Sequence, residues 1–399
     1  MIYRRDTMTV TTAVPSTSLD PFCEEAIAAG PQFLIDLCAP APLIWLEKYQ
    51  AFCTGRHDLT QKILRDWQTF TSTVKAFGPR EHIPNILVAE DPPDHGAHRD
   101  PVMKLFTPVA LAKYQDYFDQ CAQVLVDDLV RREYVDGFAD IASSYVLKVF
   151  PDVLGLKTVE RRRLLEFGDL AFNSTMPTND LYKECKARSG DVLEWFNQQC
   201  KREAITTDGI AAEIYALGDK GEVSADTAYL LVRGVFTGGF DTTVLSIASG
   251  LKAFADHPEQ WTRLREDPDL IRSAFEEVIR LDPPSRFLGR GVSVDTELAG
   301  VSLKAGDRIA CFLGAAGRDP AKWVGHDDFD IVRKGVMGHT SFGFGLHSCL
   351  GQAVARMEFK AIILALAKRV RRIELVGEPV RNINNQASGW KTLPLRLIP

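Results

Sequence analysis

An excess of positive charge is the first thing this sequence lacks. Its 47 Lys and Arg stand against 53 Asp and Glu, a net charge of −6, which argues against nucleic acid as the main partner. No apolar run reads as long enough for the roughly 20 residues of a membrane span, so no membrane is expected. Arg4 and Arg5 are not followed by an apolar core, so the N-terminus does not read as a secretory signal or an anchor. Internal repeats and low-complexity linkers are missing. The eight cysteines (Cys23, Cys38, Cys53, Cys121, Cys185, Cys200, Cys311, Cys349) follow no framework spacing. In a chain this long they read as reduced thiols of a cytoplasmic protein. What is present is ordinary: 45% hydrophobic and 25% charged residues among 399, enough for a large core. Residues 1–18, rich in Thr and Ser, are expected to be a mobile tail.

Periodicity gives a mainly helical chain with a smaller β-rich part. Short strands are expected at 42–46 and 51–53, and a helix over 59–66. Another helix begins after Pro92-Pro93. Helical spacing of apolar residues covers 111–132, 143–153 and 158–173, with Thr158 as the expected N-cap of the third. The longest periodic segment runs from Ser224, an expected N-cap, to Asp256, where His257-Pro258 stops it. Unbroken, it would span about 50 Å. A further helix is expected from Gln352 to about Val370.

Chemistry concentrates in Ser341-Phe342-Gly343-Phe344-Gly345-Leu346-His347-Ser348-Cys349-Leu350-Gly351. Gly343 and Gly345 permit φ > 0 or close approach to a flat partner. The helix that follows offers free N–H groups and a positive dipole end to a thiolate. Taken alone, a single cysteine is a small buried hydrophobe. His347 and Cys349 lack a second ligand pair at zinc spacing, and the two glycines lack the third of a dinucleotide fingerprint. Glycines, aromatics, a helix start and one cysteine together fit a thiolate ligand for a large planar cofactor such as an iron porphyrin. Upstream, Gly238-Gly239 stands in mid-helix, where each glycine costs about 1 kcal/mol relative to Ala. Close approach of a flat group, or a kink with room for a small ligand, would account for it. Asp241-Thr242 beside them is an acid–alcohol pair. His95 and Arg99 lie four apart on one helical face and can grip a carboxylate. Glu277 and Arg280 share a face and can pair, a common surface arrangement on its own.

The pattern Phe342-x-x-Gly345-x-His347-x-Cys349-x-Gly351 resembles the haem-thiolate signature of the cytochromes P450. Similar motifs run in the family's order from Asp91 to Glu358. The resemblance implies a single catalytic domain over 19–399, a triangular helical prism with haem b between the long Ser224–Asp256 helix and the helix after Cys349. It implies Cys349 as the iron ligand, with Phe342, Gly351, Gly238 and Gly239 against the cofactor. His95, Arg99, Arg290 and His347 would hold the haem propionates. Asp241 and Thr242 would guide protons to dioxygen, and Glu277, Arg280 and Arg333 would form a buried structural triad. Gly317-Arg318-Asp319-Pro320 matches a family turn with Gly in place of Asn. The implied activity is that of a soluble bacterial-type monooxygenase. It would use dioxygen and two electrons from an iron–sulfur ferredoxin with its NAD(P)H-dependent reductase, since the chain has no flavin or nicotinamide domain. A peroxide-driven haem enzyme and a non-catalytic haem-binding sensor are the alternatives.

Stretches such as 149–157, 231–233 and 312–314 also resemble one branch, bacterial cytochromes P450 that oxidise para-substituted benzoic acids. That implies hydroxylation or O-demethylation of a small aromatic, benzoate- or phenol-like substrate, with a terpenoid or fatty acid as the alternative. The pocket departs from the branch. His82 stands for an arginine, Asn85 for a serine, Thr175 follows Phe172 in place of a second partner, and Leu288 and Gly289 replace phenylalanines. Arg286 adds a positive charge. Thr237, Asn85 and His82 are expected to form a polar anchor, Phe172, Leu288 and Trp390 the apolar walls, and Arg233 to close the pocket or make a structural ion pair.

Overall fold

The computed structural model describes residues 14–399 other than 79–81, 83, 85, 159, 177 and 178. Helices Gln115–Leu129, Asp241–Asp256, Ile271–Leu281 and Gln352–Arg369 pack on one another at the centre. Their sequences dictate this. Gln115–Leu129 buries Phe118, Ala122, Val126 and Leu129, a stripe with steps of four, four and three. Gln352–Arg369 buries Phe359, Ile362, Ile363 and Leu366. Phe359 meets Phe275 of Ile271–Leu281 with ring centroids 4.7 Å apart. Each such side chain contributes about 1.5–3 kcal/mol by leaving water.

Several expected boundaries moved. The 111–132 segment is divided, with a short helix at Pro108–Leu111, a 3₁₀ turn at Ala112–Tyr114 and the long helix starting at Gln115. Thr158 does not cap a helix. Its hydroxyl accepts from the Glu160 amide at 3.1 Å, and the helix starts later, as Arg162–Asn173. Ser224 does cap its helix, accepting from the Thr227 amide at 3.0 Å. The segment it starts is not one rod, because Ala225–Gly239 ends at Phe240 and Asp241–Asp256 begins anew. Contrary to the sequence reading, 225–256 is long and apolar enough to cross a membrane by length and composition. It is broken at Phe240, and among the described residues its second half buries Val244, Leu245, Ile247, Ala248 and Leu251 in the core.

The β-rich part is a six-stranded sheet in the order Ser16–Thr17, Ile44–Leu46, Ala51–Thr54, Arg308–Phe312, Phe287–Val292, Phe70–Thr71. Its first strand lies inside the stretch expected as a tail, paired to Trp45 and Leu46. The period of two in Phe287–Val292 puts Leu288 and Arg290 on one face, which brings both toward the glycine-rich loop. All eight cysteines are free.

Glu277, Arg280 and Arg333 meet in the core. Glu277 accepts from Arg280 Nε at 2.7 Å, Arg280 Nη2 at 2.8 Å and Arg333 Nε at 2.9 Å. Arg280 also donates to the Gly317 carbonyl at 2.5 Å and the His326 carbonyl at 2.8 Å. The glycine that replaces Asn at 317 has a steric reason here, since a Cβ on it would stand 2.0 Å from the Arg280 carbonyl oxygen.

Candidate active site

One deep cavity lies between the break at Phe240 and the Ser341–Gly351 loop, and Thr242 and Cys349 both line it. The loop's shape follows from its glycines. Gly343 and Gly345 have φ of 71° and 69°, values an L side chain rarely adopts. Gly343 N–H donates to the Thr340 carbonyl at 2.9 Å and Cys349 N–H to the Phe342 carbonyl at 2.8 Å. This turns Cys349 to the mouth of the Gln352–Arg369 helix. Burial pushes the thiol pKa up, and the amides of Gly351 and Gln352 with the charges of Arg99 and Arg356 oppose that. These amides and charges favour a thiolate, against the burial that disfavours one.

Across the cavity the two adjacent glycines have different reasons. A Cβ on Gly238 would meet nothing within 4 Å, because this residue opens on the cavity. A Cβ on Gly239 would come within 2.1 Å of the Phe150 ring. The break frees carbonyls, and hydroxyls take them up. Thr242 Oγ1 donates to the Gly238 carbonyl at 2.8 Å and Thr243 Oγ1 to the Gly239 carbonyl at 3.3 Å. Asp241, half-buried, is not on the cavity wall, and burial pushes its pKa up to about 7.

Basic groups collect at one edge. His95 and His347 have ring centroids 4.4 Å apart. His347 Nε2 meets Ser72 Oγ at 2.9 Å and lies 3.8 Å from Asp91. Burial first, then Arg290, His95 and Arg99, hold the His347 pKa down to about 3. Arg99 Nη2 donates to the Ser348 carbonyl at 2.5 Å and Arg290 Nη1 to the Gly289 carbonyl at 2.9 Å. His95 is buried with no hydrogen-bond partner for Nε2. Two guanidiniums held only by carbonyls, beside an orphaned imidazole nitrogen, form a donor set that fits the two carboxylates of a porphyrin. The cavity, the bare Gly238 and the thiol fit its plane and metal.

The other expected residues divide between the cavity wall and places away from it. Phe172, Thr237, Gly238 and Leu288 line the cavity, as do Phe342 and Gly351. Thr175 is buried off the wall and donates to the Phe172 carbonyl at 2.8 Å. His82 Nε2 meets Tyr182 OH at 2.9 Å instead of facing the cavity. Arg233 donates to Asn197 Oδ1 at 2.9 Å and to the His82 carbonyl at 2.7 Å, a clasp and not an ion pair. Arg286 is buried and turned to the Pro21 carbonyl, 2.6 Å away. Trp390 lies in a surface cleft, with the Arg381 guanidinium 4.1 Å from its ring centroid and Lys252 on it too. Asn85 lies outside the described residues. Sequence reading missed Ser285, Val235 and Glu358 on the wall. Neither Glu358 carboxyl oxygen has a hydrogen-bond partner, and burial holds its pKa well above the carboxylate range. Its position four after Val354, on the same helix face, was the available signal.

The cytochrome P450 family model matches residues 143–397. The chain is 36% identical over 397 residues, 97% of its length and 95% of the relative's, to cytochrome P450 CYP199A2 of Rhodopseudomonas palustris. Its structure is similar to that of P450BioI in complex with an acyl carrier protein bearing hexadec-9Z-enoic acid. The TM-score is 0.82 and the identity 25%, covering 93% of this chain and 99% of that one. The fold also matches that of CYP109E1 from Bacillus megaterium in complex with testosterone, with a TM-score of 0.83 and 23% identity over 94% of this chain and 99% of that one.

Proposed function

The chain belongs to the cytochrome P450 family of haem b monooxygenases, and on that premise we propose that it oxidises a small aromatic molecule with electrons delivered by a ferredoxin. The observation that carries the reading is the cavity wall, with one thiol on one side, the helix break on the other, and a mostly apolar lining between them. Haem held by a thiolate supplies the activation of dioxygen, the sulfur favouring O–O cleavage.

The chain's own residues do the rest. Cys349 is the thiolate, its charge supported by the amides of Gly351 and Gln352. His95, Arg99, Arg290 and His347 hold the propionates. Arg99→Ala is expected to speed haem loss roughly ten- to hundredfold, the worth of a charge-assisted hydrogen bond. Transfer of haem to apomyoglobin measures this, and the reduced CO spectrum is expected to stay unchanged. A haem-loss rate equal to that of the wild type would remove Arg99 from the set.

Thr242 gives its own proton to the Gly238 carbonyl, so its oxygen can accept on the cavity side while Asp241 stands behind it as the acid. Thr242→Ala is expected to lower product formed per NADH consumed by about tenfold, with more peroxide released. Substrate affinity should change by no more than about fourfold, because a single γ-methyl group, worth about 0.8 kcal/mol, leaves the wall. Unchanged coupling would rule out the role. The acid–alcohol pair also favours dioxygen over peroxide as oxidant.

The substrate end is apolar, with Phe172, Leu288, Ile86 and Val235, and its hydroxyls are Thr237 and Ser285. Among the described wall residues the basic groups are Arg99 and His347, both in the propionate cluster. Arg286, the change that argued for a charged substrate, points away. The substrate is therefore a neutral ring of the phenol or methoxyarene kind before it is a benzoate, and the branch resemblance supports a ring of that size. Spin-state titration with 4-methoxybenzoate against its methyl-ketone analogue tests this, and the ketone is expected to bind the tighter. A shift caused only by a terpene or a fatty acid would overturn the aromatic reading. NADH use that depends on both ferredoxin and substrate separates an oxygenase from a sensor.

A further inference from the structure

The acid and the alcohol at the helix break diverge, as neighbours about 100° apart on a helix do. Thr242 lines the cavity and Asp241 does not. The Asp241 carboxyl group instead lies against Gly168 of the Arg162–Asn173 helix. A Cβ built on Gly168 would stand 1.6 Å from Asp241 Oδ2, 2.4 Å from Cγ and 2.8 Å from Oδ1. All three atoms of the carboxyl group thus occupy the space a side chain at 168 would take. Gly168 is itself buried, whereas Asp241 keeps partial exposure. Ala favours a helix over Gly, so a glycine at the centre of Arg162–Asn173 needs a reason, and this contact is one.

We propose that Gly168 is a positioning residue for proton delivery, because its bare Cα leaves the slot that holds the Asp241 carboxyl group between solvent and Thr242. The inference rests on the reading of Asp241 and Thr242 as the proton path. A carboxyl group that gives a proton inward must be reprotonated from outside, and the Asp241 carboxyl group in this slot keeps partial exposure. The charged groups that act on it come from the elements around it. Asp169, next to Gly168, raises its pKa and Lys391 of Trp390–Thr392 lowers it, while burial has the largest effect. Asp136 and Asp140 of the adjoining turn are taken up by backbone amides and Arg132. No ion pair to Asp241 exists among the described residues. Burial, the largest of these effects, depends on where the carboxyl group sits, and position is what Gly168 controls.

The test compares holoenzyme carrying Gly168→Ala, Asp241→Ala, Asp241→Asn and the combinations with Gly168→Ala. The first readout needs no substrate. An acid whose pKa is raised on folding adds stability fully below its unfolded value, and that contribution is lost as pH rises through the folded value. Wild type should therefore lose thermal stability relative to Asp241→Asn between about pH 4 and 7. In the Gly168→Ala background that pH-dependent gap should flatten, because the carboxyl group is expelled to water. The second readout is product per NADH with 4-methoxybenzoate and its methyl-ketone analogue as probes. It should fall about tenfold in Gly168→Ala, and Gly168→Ala should have no further effect once Asp241 is Ala.

If Gly168→Ala keeps wild-type coupling and the pH-dependent stability gap, the inference fails and the proton path stands. If Asp241→Asn leaves coupling unchanged, both fall. If Gly168→Ala loses the thiolate CO spectrum, restoration by adding Asp241→Ala supports the slot. Failure of that rescue makes Gly168 a packing residue alone and overturns the inference.

Discussion

Cys349→His is expected to abolish the thiolate-type CO spectrum and to reduce monooxygenase activity to background. The backbone leaves no other thiol able to substitute. Cys38, Cys53 and Cys311 are buried in the sheet and its adjoining helix, and burial pushes the Cys311 thiol up to about 12. Among the described cysteines, Cys349 alone lines the cavity. Its orientation is set by the Phe342 carbonyl and by two glycines at positive φ, so a substituted side chain still points at the same place. An imidazole there is a neutral ligand, and the electron donation of a sulfur anion is lost. Reduced CO spectra of the two proteins, matched for haem content, decide it. A thiolate spectrum in the variant would place the ligand elsewhere.

Arg280→Ala is expected to cost about 3–5 kcal/mol, because buried Glu277 loses two of its four hydrogen bonds and keeps only those from Arg333 and the Asp330 amide. Both side chains are fully buried, and the guanidinium also satisfies the carbonyls of Gly317 and His326. Against a total of about 5–15 kcal/mol for a folded domain, the loss should leave little holoprotein. Arg280→Lys should rescue poorly, since an ammonium cannot reproduce the two-pronged contact. Arg202→Ala is the control. Its partner Asp219 is exposed, and water screens a surface pair, so this midpoint should barely move. Thermal midpoints and haem content at fixed pH check both. Equal midpoints for Arg280→Ala and wild type would show that the network does not hold the core.

What could be read from the sequence was chemistry set by local backbone rules. Two glycines that must adopt positive φ, a cysteine at a helix mouth, residues three or four apart on one helix face, and a glycine pair in mid-helix all have consequences within a few residues. The loop at Ser341–Gly351, the Glu277–Arg280 pair and the Ser224 cap came out as their spacing requires. The direction of isolated side chains is a different matter, because it depends on which distant carbonyl or ring claims them first. Arg286 is turned away by Pro21, Trp390 is held by Arg381 and Lys252, His82 meets Tyr182, and Arg233 clasps Asn197. The break at Phe240 likewise needs Phe150 pressed against Gly239. The sequence by itself therefore determined the shape of the Ser341–Gly351 loop and the family, because those are specified by neighbours along the chain. Only the tertiary structure decided which residues line the cavity, and that the Asp241 carboxyl group meets Gly168, because packing between segments far apart in sequence sets where each side chain can go.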